Sequence, residues 1–426
     1  MPPVSETLYS RVEDSQGQAT VCDALLYAVL GMALGWVSLP ALSIETASLV
    51  SSQPEGLALA AVTGAAGTVG STVIVPLFLL VEKCVHVPAG KWVALALVTQ
   101  ATAVLIGALF AQSTMGGVSW ALYLVAFIGS LGANLQRLAA MPWVMERGMS
   151  PAYVSWLLAG GNATALICAL LGLIQEPGGA MRFSVNAYFL ILLGITAISA
   201  GAYGLLRVRR ASTVVAVAPL TPSPSPKWKA HGGASGDDVP SVGSDDVPSE
   251  WLPDFAWHPS VMACVLTNSI VQYICWIVMG FLLPFAAHHA SVADGRLILG
   301  YTAEASTLAV FLGSVASAVV PNSALHCGAT LAAMVFCLAI ILALIFEALP
   351  FAPTEGAKSA MLLISATSAR FIDGLVTPLL YRRAGDEFPI RRREAITRFQ
   401  GAVSITFTSL GTWVVLWMVH QGIVAR

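Results

Sequence analysis

Residues 91–112 read KWVALALVTQATAVLIGALFAQ, a run in which Lys91 is the only charged side chain. A helix that crosses a bilayer needs about 20 mostly apolar residues, because each residue rises about 1.5 Å and the hydrocarbon core is about 30 Å thick. The run also lacks the alternation of apolar and polar residues that is typical of a strand in a membrane β-barrel. The stretch therefore predicts a membrane-spanning α-helix.

The composition of the whole chain agrees with this prediction. Of its 426 residues, 57% are hydrophobic and 10% are charged, and the mean hydropathy is +0.77. Soluble domains carry about 25% charged residues, so this chain has too few charges to wet the surface of a soluble protein. We predict an integral membrane protein, and we exclude a secreted domain, a cytosolic enzyme, a disordered chain and a nucleic-acid-binding protein.

Similar apolar runs recur along the chain and predict about eleven transmembrane helices. They are 23–42, 57–81, 91–112, 117–141, 152–174, 186–206, 260–286, 297–320, 327–348, 359–380 and 400–422. A polar segment separates the first six runs from the last five, as in transporters built from two parallel halves. The predicted fold class is an all-α polytopic membrane protein with two pseudo-symmetric bundles of six and five helices.

The positions of the basic residues predict the orientation, because Lys and Arg in short loops tend to stay on the cytoplasmic side. With a cytoplasmic N-terminus, fifteen of the 21 Lys and Arg residues fall on the cytoplasmic side. Four fall on the opposite side, and two, Arg137 and Arg370, lie within spans. We therefore expect a cytoplasmic N-terminus and an extracellular C-terminus.

The chain divides into four predicted segments. Residues 1–22 form a cytoplasmic tail, 23–206 the first six-helix bundle, 207–259 a linker and 260–426 the second five-helix bundle. The linker is rich in Pro, Ser, Gly and Asp, and the pentapeptide DDVPS occurs in it twice. Such a segment is too polar to pack, so we predict a disordered cytoplasmic linker.

Charged residues inside the predicted spans are candidates for a functional pathway, because a charge at bilayer depth is costly. Arg370 and Asp373 are three residues apart, which favours an ion pair along one helix face or a gate. Arg137 is a second gating candidate, although it could also reach the lipid headgroups. Glu304 could bind a substrate, carry a coupling proton, or face the outer headgroups.

Uncharged polar residues also fall within the spans. Asn268 and Gln272 are one turn apart beside Tyr273 and Trp276, and Asn162 follows two glycines that permit close helix packing. Amides beside aromatic rings suit a planar, neutral ligand that forms hydrogen bonds, whereas the alternative interpretation is helix packing alone. We expect the two aromatic rings to wall the ligand and the three amides to bind its edge.

The sequence contains no pattern of a catalytic or metal site. The seven histidines lie mostly in loops and at helix ends, and neither HExxH, a Walker A motif nor GxSxG occurs. The seven cysteines form no CxxC pair and are read as buried small side chains. We therefore expect no enzyme activity, no metal and no cofactor.

The end of the first span carries a resemblance to a known family. The stretch Gly35-Trp36-Val37-Ser38-Leu39-Pro40 resembles the Gly-x-Trp-Val-Gln/Glu-Leu-Pro signature of the eukaryotic riboflavin transporters, solute carrier family 52. Ser38 replaces the amide or acid of that signature, and Gly35 precedes Trp36 without a spacer. The resemblance makes Trp36 a substrate-binding candidate.

Further stretches resemble the same family in the same order. Gly160-Gly161-Asn162 is similar to its Gly-Glu-Gly helix, Thr267-Asn268 to its Thr-Asn-Gly segment, and Pro321-Asn322 to the end of its eighth helix. The family implies uptake of riboflavin across the plasma membrane by two helix bundles. Equilibrative nucleoside transporters are similar as well, with eleven spans, a long central loop and a Leu-Pro near the end of the first helix.

These observations predict a transporter that takes up riboflavin by alternating access. A nucleoside or nucleobase transporter, of the equilibrative or major-facilitator type, is the second hypothesis, and a membrane receptor that does not transport is the third. The expected partners are a small planar heteroaromatic substrate and the lipid bilayer, without nucleic acid. The oligomeric state stays open.

Overall fold

The computed structural model describes residues 21–35, 37–49, 52–55, 59–85, 87–145, 152–175, 182–216, 258–291, 295–348, 354–386 and 390–420, and these are almost entirely helical. The helices of the first half are α1 (Val21–Leu34), α2 (Ser38–Leu49), α3 (Leu59–Cys84), α4 (Ala89–Phe110), α5 (Trp120–Leu135), α6 (Met141–Val144), α7 (Ala152–Gln175) and α8 (Val185–Ala216). Those of the second half are α9 (Pro259–Gln272), α10 (Met279–Ala290), α11 (Gly295–Val319), α12 (Cys327–Ile345), α13 (Glu355–Asp386) and α14 (Ile390–His420).

Two of these helices continue into the next through a π-helical turn. Gln136–Ala140 joins α5 to α6, and Tyr273–Val278 joins α9 to α10. A π-turn holds one residue more than an α-turn, and such turns occur frequently at functional sites. Each of them lies beside the candidate site described below.

The all-helical membrane fold is confirmed, because each predicted run coincides with a helix or a joined pair of helices. Eight helices in the described residues are long and apolar enough to cross a membrane. A ninth span results if α1 and the first part of α2, bent by 51° against each other, count as one. Eleven membrane crossings remain a prediction.

The predicted linker begins later than expected. Helix α8 runs on to Ala216, so the prediction of disorder is wrong for residues 207–216. The basic residues at this point have partners that hold the helix: Arg209 binds Asp23 at 2.8 Å, and the Arg210 guanidinium lies 3.6 Å from the centre of the Trp143 ring. The rest of the predicted linker, up to residue 257, lies outside the described residues.

We name the two ends of the helix bundle by their position relative to the predicted linker. The linker end contains the last turns of α8 and α13 and the first turns of α1, α9 and α14, and the far end lies opposite. The halves meet where α7 packs on α11 and α13, and where α14 packs on α3 and on the π-turn after α5. The candidate site lies between these contacts.

Helices α1 and α7 pack backbone against backbone, as the two glycines of α7 predicted. A Cβ built on Gly160 would lie 1.8 Å from the carbonyl oxygen of Ala28, and one on Gly31 would lie 1.9 Å from that of Leu157. No side chain fits at such distances, so only glycine allows this approach. The predicted close packing at Gly160 is confirmed.

We expect Gly160→Ala to destabilise the protein by about 1–3 kcal/mol, because the added methyl must push α1 away from α7. Gly194→Ala is the matched control, since a Cβ there meets nothing within 4 Å and alanine favours a helix. Thermal unfolding of both variants in detergent checks the prediction. Equal melting temperatures for the two variants would contradict it.

A polar loop contact fastens residues 52–55 to the start of α5 at the far end. The Glu55 carboxylate accepts hydrogen bonds from the Ser119 backbone N–H at 2.7 Å and the Tyr123 hydroxyl at 2.5 Å. Burial raises the pKa of Glu55, but the hydrogen bonds from Ser119 and Tyr123 outweigh it and lower the pKa from 4.5 to about 2. The contact therefore favours the ionised carboxylate in the folded protein.

This lowered pKa predicts a pH dependence of stability. Because the folded pKa lies below the unfolded one, the stabilisation is complete above about pH 5 and is lost as the pH falls towards 2. At pH 6 the wild type should therefore melt about 2 °C above Glu55→Gln, and the difference should disappear near pH 2. A difference that persists at low pH would show that charge is not its source.

Candidate functional site

Arg137 lies in the π-turn between α5 and α6 and points towards the second half of the protein. It is 9% exposed, and its Nη2 donates a hydrogen bond to Gln272 Oε1 at 2.8 Å. The bond joins the two halves at a buried position. Burying an arginine is costly unless its donors are used, so this contact explains how Arg137 is accommodated.

Gln272 in turn forms hydrogen bonds with two residues of α13. Its Nε2 donates to Asp373 Oδ1 at 2.5 Å and to Thr377 Oγ1 at 2.9 Å. Asp373 also accepts hydrogen bonds from Trp276 Nε1 at 2.8 Å and from the Thr377 hydroxyl at 3.0 Å. We call Arg137, Gln272, Trp276, Asp373 and Thr377 the central network.

The predicted ion pair between Arg370 and Asp373 does not form, and this corrects the sequence interpretation. The Arg370 guanidinium lies 3.8 Å from the centre of the Trp276 ring, in a cation–π contact. Asp373 instead receives its hydrogen bonds from the other members of the central network. The i,i+3 spacing allowed a direct pair, but the indole ring of Trp276 contacts both side chains.

A second hydrogen bond crosses between the halves. Asn162 Nδ2 of α7 donates to the Ser314 hydroxyl of α11 at 2.6 Å. Ser314 is fully buried, and its own hydroxyl donates back to its helix, to the Val310 carbonyl at 3.0 Å. Like the Arg137 bond, this contact joins polar groups from different halves.

A small cavity of about 40 Å³ lies between the two cross-half bonds. Its lining residues are Arg137, Met141, Leu158, Asn162, Gln272, Trp276, Val310, Ser314, Asp373, Gly374, Thr377 and Pro378. Both halves contribute, and the polar groups converge from five helical segments. Ligand sites typically combine an apolar wall with a few placed polar groups of this kind.

The structure brings together some of the predicted site residues and separates others. Of these, Asn162, Gln272 and Trp276 line the cavity beside Arg137 and Asp373. Trp36 lies outside the described residues.

Four further candidates are absent from the cavity wall. Tyr273 packs edge to face on Phe407, with ring centres 5.7 Å apart. Asn268 is buried one turn from Gln272, towards the linker end. Glu304 is half-buried on α11, ten residues before the Ser314 position and thus about 15 Å along the helix. Arg370 lies behind Trp276.

Sequence reasoning missed two polar members of the site, Ser314 and Thr377. Thr377 stands four residues after Asp373, so the two share a helix face, and this spacing was a usable signal. Ser314 had no such signal, because its helix contains several Ser and Thr residues that face other neighbours. Its partner Asn162 lies 152 positions away in the chain.

Several solved structures superpose on most of this chain. The proton:xylose symporter bound to 6-bromo-6-deoxy-D-glucose superposes with a TM-score of 0.60 at 12% identity, over 94% of this chain and 88% of that one. A bacterial homologue of the iron transporter ferroportin, in an outward-facing state, gives 0.58 at 15% identity, over 93% and 92%. The chain has the major facilitator fold.

A third major facilitator protein supports the same assignment. The E. coli fucose:proton symporter superposes with a TM-score of 0.53 at 17% identity, over 95% of this chain and 92% of its own. No protein-family model and no curated protein matches the sequence. At 12–17% identity, these three likenesses show the fold of the chain.

The central network predicts energetic coupling between the halves. We expect Arg137→Met and Gln272→Met each to destabilise the protein by about 2–3 kcal/mol, because each leaves a buried polar partner without its hydrogen bond. The double variant removes both groups and should cost less than the sum, with a coupling of about 1–2 kcal/mol. Unfolding of all four proteins in one detergent measures the cycle, and additive costs would contradict the coupling.

Proposed function

We propose that this protein is a secondary transporter that carries a small, neutral, hydrogen-bonding organic solute across a membrane by alternating access. The proposal rests on one observation: polar side chains of both halves meet at one cavity and bond directly across it. A solute that binds there must contact both halves. Its binding can therefore favour a change in their relative position.

The cross-half bonds suit this role because they are few and exchangeable. Arg137 binds Gln272 at 2.8 Å and Asn162 binds Ser314 at 2.6 Å. A hydroxyl or amide of a solute can replace each partner without leaving a donor unused. Hydrogen bonds are thus exchanged and not lost, which keeps the cost of opening the cavity small.

The charges at the cavity favour an uncharged solute. The Asp373 carboxylate already accepts hydrogen bonds from three side chains, and the Arg137 guanidinium is bound by Gln272. The remaining chemistry of the wall consists of amides, hydroxyls and one indole. These groups can bind the edge and the face of a polar ring.

Riboflavin is the first candidate solute, because several stretches of the sequence resemble the riboflavin transporters. A nucleoside or nucleobase is the second, and both have the planar, hydrogen-bonding ring that the wall suits. Two structural neighbours are symporters of xylose and fucose, so a monosaccharide belongs in any test. The receptor hypothesis makes a distinct prediction, which is binding without flux.

The orientation and location are part of the proposal. The linker end carries Arg207, Arg209, Arg210, Arg382 and Arg383, and basic residues of this kind mark the cytoplasmic side. We therefore propose that the N-terminus lies in the cytoplasm and the C-terminus outside, and the resemblance to the riboflavin transporters favours the plasma membrane. The predicted linker then joins the two bundles on the cytoplasmic side.

Uptake by proteoliposomes tests the function directly. Labelled riboflavin, uridine, D-xylose and Fe²⁺ are supplied in turn, with and without a protonophore. We expect saturable uptake of one neutral organic solute, competed by its unlabelled form. Specific binding without uptake of any of them would support the receptor hypothesis. The absence of both binding and uptake would contradict the proposal.

Asn162→Ala should raise the KM for the transported solute about tenfold, which corresponds to about 1.4 kcal/mol of binding free energy. The change removes an amide that lines the cavity. Asn134→Ala is the matched control, because Asn134 is a buried asparagine that bonds Ser71 at 2.9 Å within the first half. That control should lower the yield of folded protein and leave the KM unchanged. Equal KM values for Asn162→Ala and the wild type would contradict a role in binding.

A further inference from the structure

A second group of polar side chains is buried between the cavity and the linker end. It comprises Asn268, Tyr381, Gln400 and Ser404, each at most 1% exposed. We call these residues the polar layer. They come from three helices of the second half, α9, α13 and α14, and none of them lines the cavity.

Every member of the polar layer has a buried atom without a hydrogen-bond partner. These atoms are Asn268 Oδ1, Tyr381 Oη, Ser404 Oγ and both amide atoms of Gln400. Buried polar groups in folded proteins nearly always have partners, and an exception calls for a physical reason. Four such residues in one region indicate that these groups are satisfied in another way.

The polar layer adjoins the central network through Arg137. The polar neighbours of the Tyr381 hydroxyl are Arg137 and Asn268. A Cβ built on Gly401 would lie 2.7 Å from the Arg137 carbonyl oxygen, so α14 contacts the π-turn directly there. Gln400 and Ser404 are one turn apart and share the buried face of α14.

Contacts at the linker end close the route from the polar layer to that end. Arg398 of α14 binds Glu82 of α3 at 2.9 Å, and the indole N–H of Trp92 donates to the same carboxylate at 2.5 Å. Arg398 also binds Glu394 at 2.6 Å. We call these four residues the seal. It joins the two halves, so it must open if the halves separate at the linker end.

We propose that the polar layer is a second binding station for the transported solute, exposed to water when the seal opens. The proposal rests on the proposed function and adds a site to it. When the seal is closed, the amides and hydroxyls of the polar layer are buried and bind no solute. When the seal is open, they line the route from the cavity to the linker end. Their chemistry suits an uncharged solute with several hydroxyl or amide groups.

Cysteine labelling in the full-length protein tests the station. Cys22 and Cys84 are exposed and are replaced by Ser in every variant, and this background chain gives the blank. Ser404→Cys is then treated with a small charged thiosulfonate reagent, alone and combined with Glu82→Gln, which weakens the seal. Thr406→Cys is the matched control, because Thr406 is exposed on the opposite, lipid-facing side of the same helix turn.

We expect Glu82→Gln to raise the labelling rate of Ser404→Cys at least fivefold and to leave Thr406→Cys unlabelled. Riboflavin, uridine or D-xylose, whichever the wild type transports, should slow the labelling at least twofold. No labelling of a folded Ser404→Cys in the Glu82→Gln background overturns the exposure of the polar layer. Labelling that none of the three solutes slows overturns the binding station.

The labelling result is separable from the proposed function. Uptake by the wild type is measured independently, and its absence contradicts the transporter proposal whatever the labelling shows. As a second measurement, Gln400→Ala should raise the KM for transport that starts at the linker end at least threefold. The KM for transport that starts at the far end should change less, and equal changes from both ends contradict a station on the linker side.

Discussion

The hydrogen bond between Arg137 and Gln272 is the contact on which the centre of this protein depends. A guanidinium at this depth has no water to solvate it, so it must find an acceptor within the protein. Gln272 supplies that acceptor and, with its other amide atom, binds the Asp373 carboxylate. One neutral side chain thus links a buried cation in the first half to a buried anion in the second.

This arrangement keeps opposite charges close without a direct salt bridge. A direct pair would hold the halves together strongly at one point, and breaking it would leave two bare charges in a medium of low dielectric constant. An intervening amide divides the attraction into two hydrogen bonds. The junction therefore holds the halves in register, while a competing polar group can still enter it.

Much of the fold was accessible from the sequence, because a membrane imposes length and apolarity on every helix. The predicted runs coincide with helices, and the glycines of α7 make the close contact that their size predicted. The error at residues 207–216 has a local cause. Arg209 and Arg210 read as the start of a polar linker, but Asp23 and Trp143 hold them in helical form.

The candidate site was only partly predictable. Arg137, Asn162, Gln272, Trp276 and Asp373 stood out because polar groups are rare in such helices, and they line the cavity. The sequence does not show which polar residues face one another, because partners such as Asn162 and Ser314 are 152 positions apart. Tyr273 directly follows Gln272 and so lies about 100° around the helix, where it packs on Phe407 and not on the cavity.

The two π-turns have a consequence for how this protein can diverge. Each holds one residue beyond the α-helical repeat, so the loss of a single residue there would restore a regular helix. A π-turn closes with one residue more than an α-turn, so that loss would leave the two flanking helices facing almost as before and would shift only the side chains within the turn. A relative could thereby present a different set of side chains to the cavity without a single substitution, and an alignment of the two sequences would show only a gap of one position.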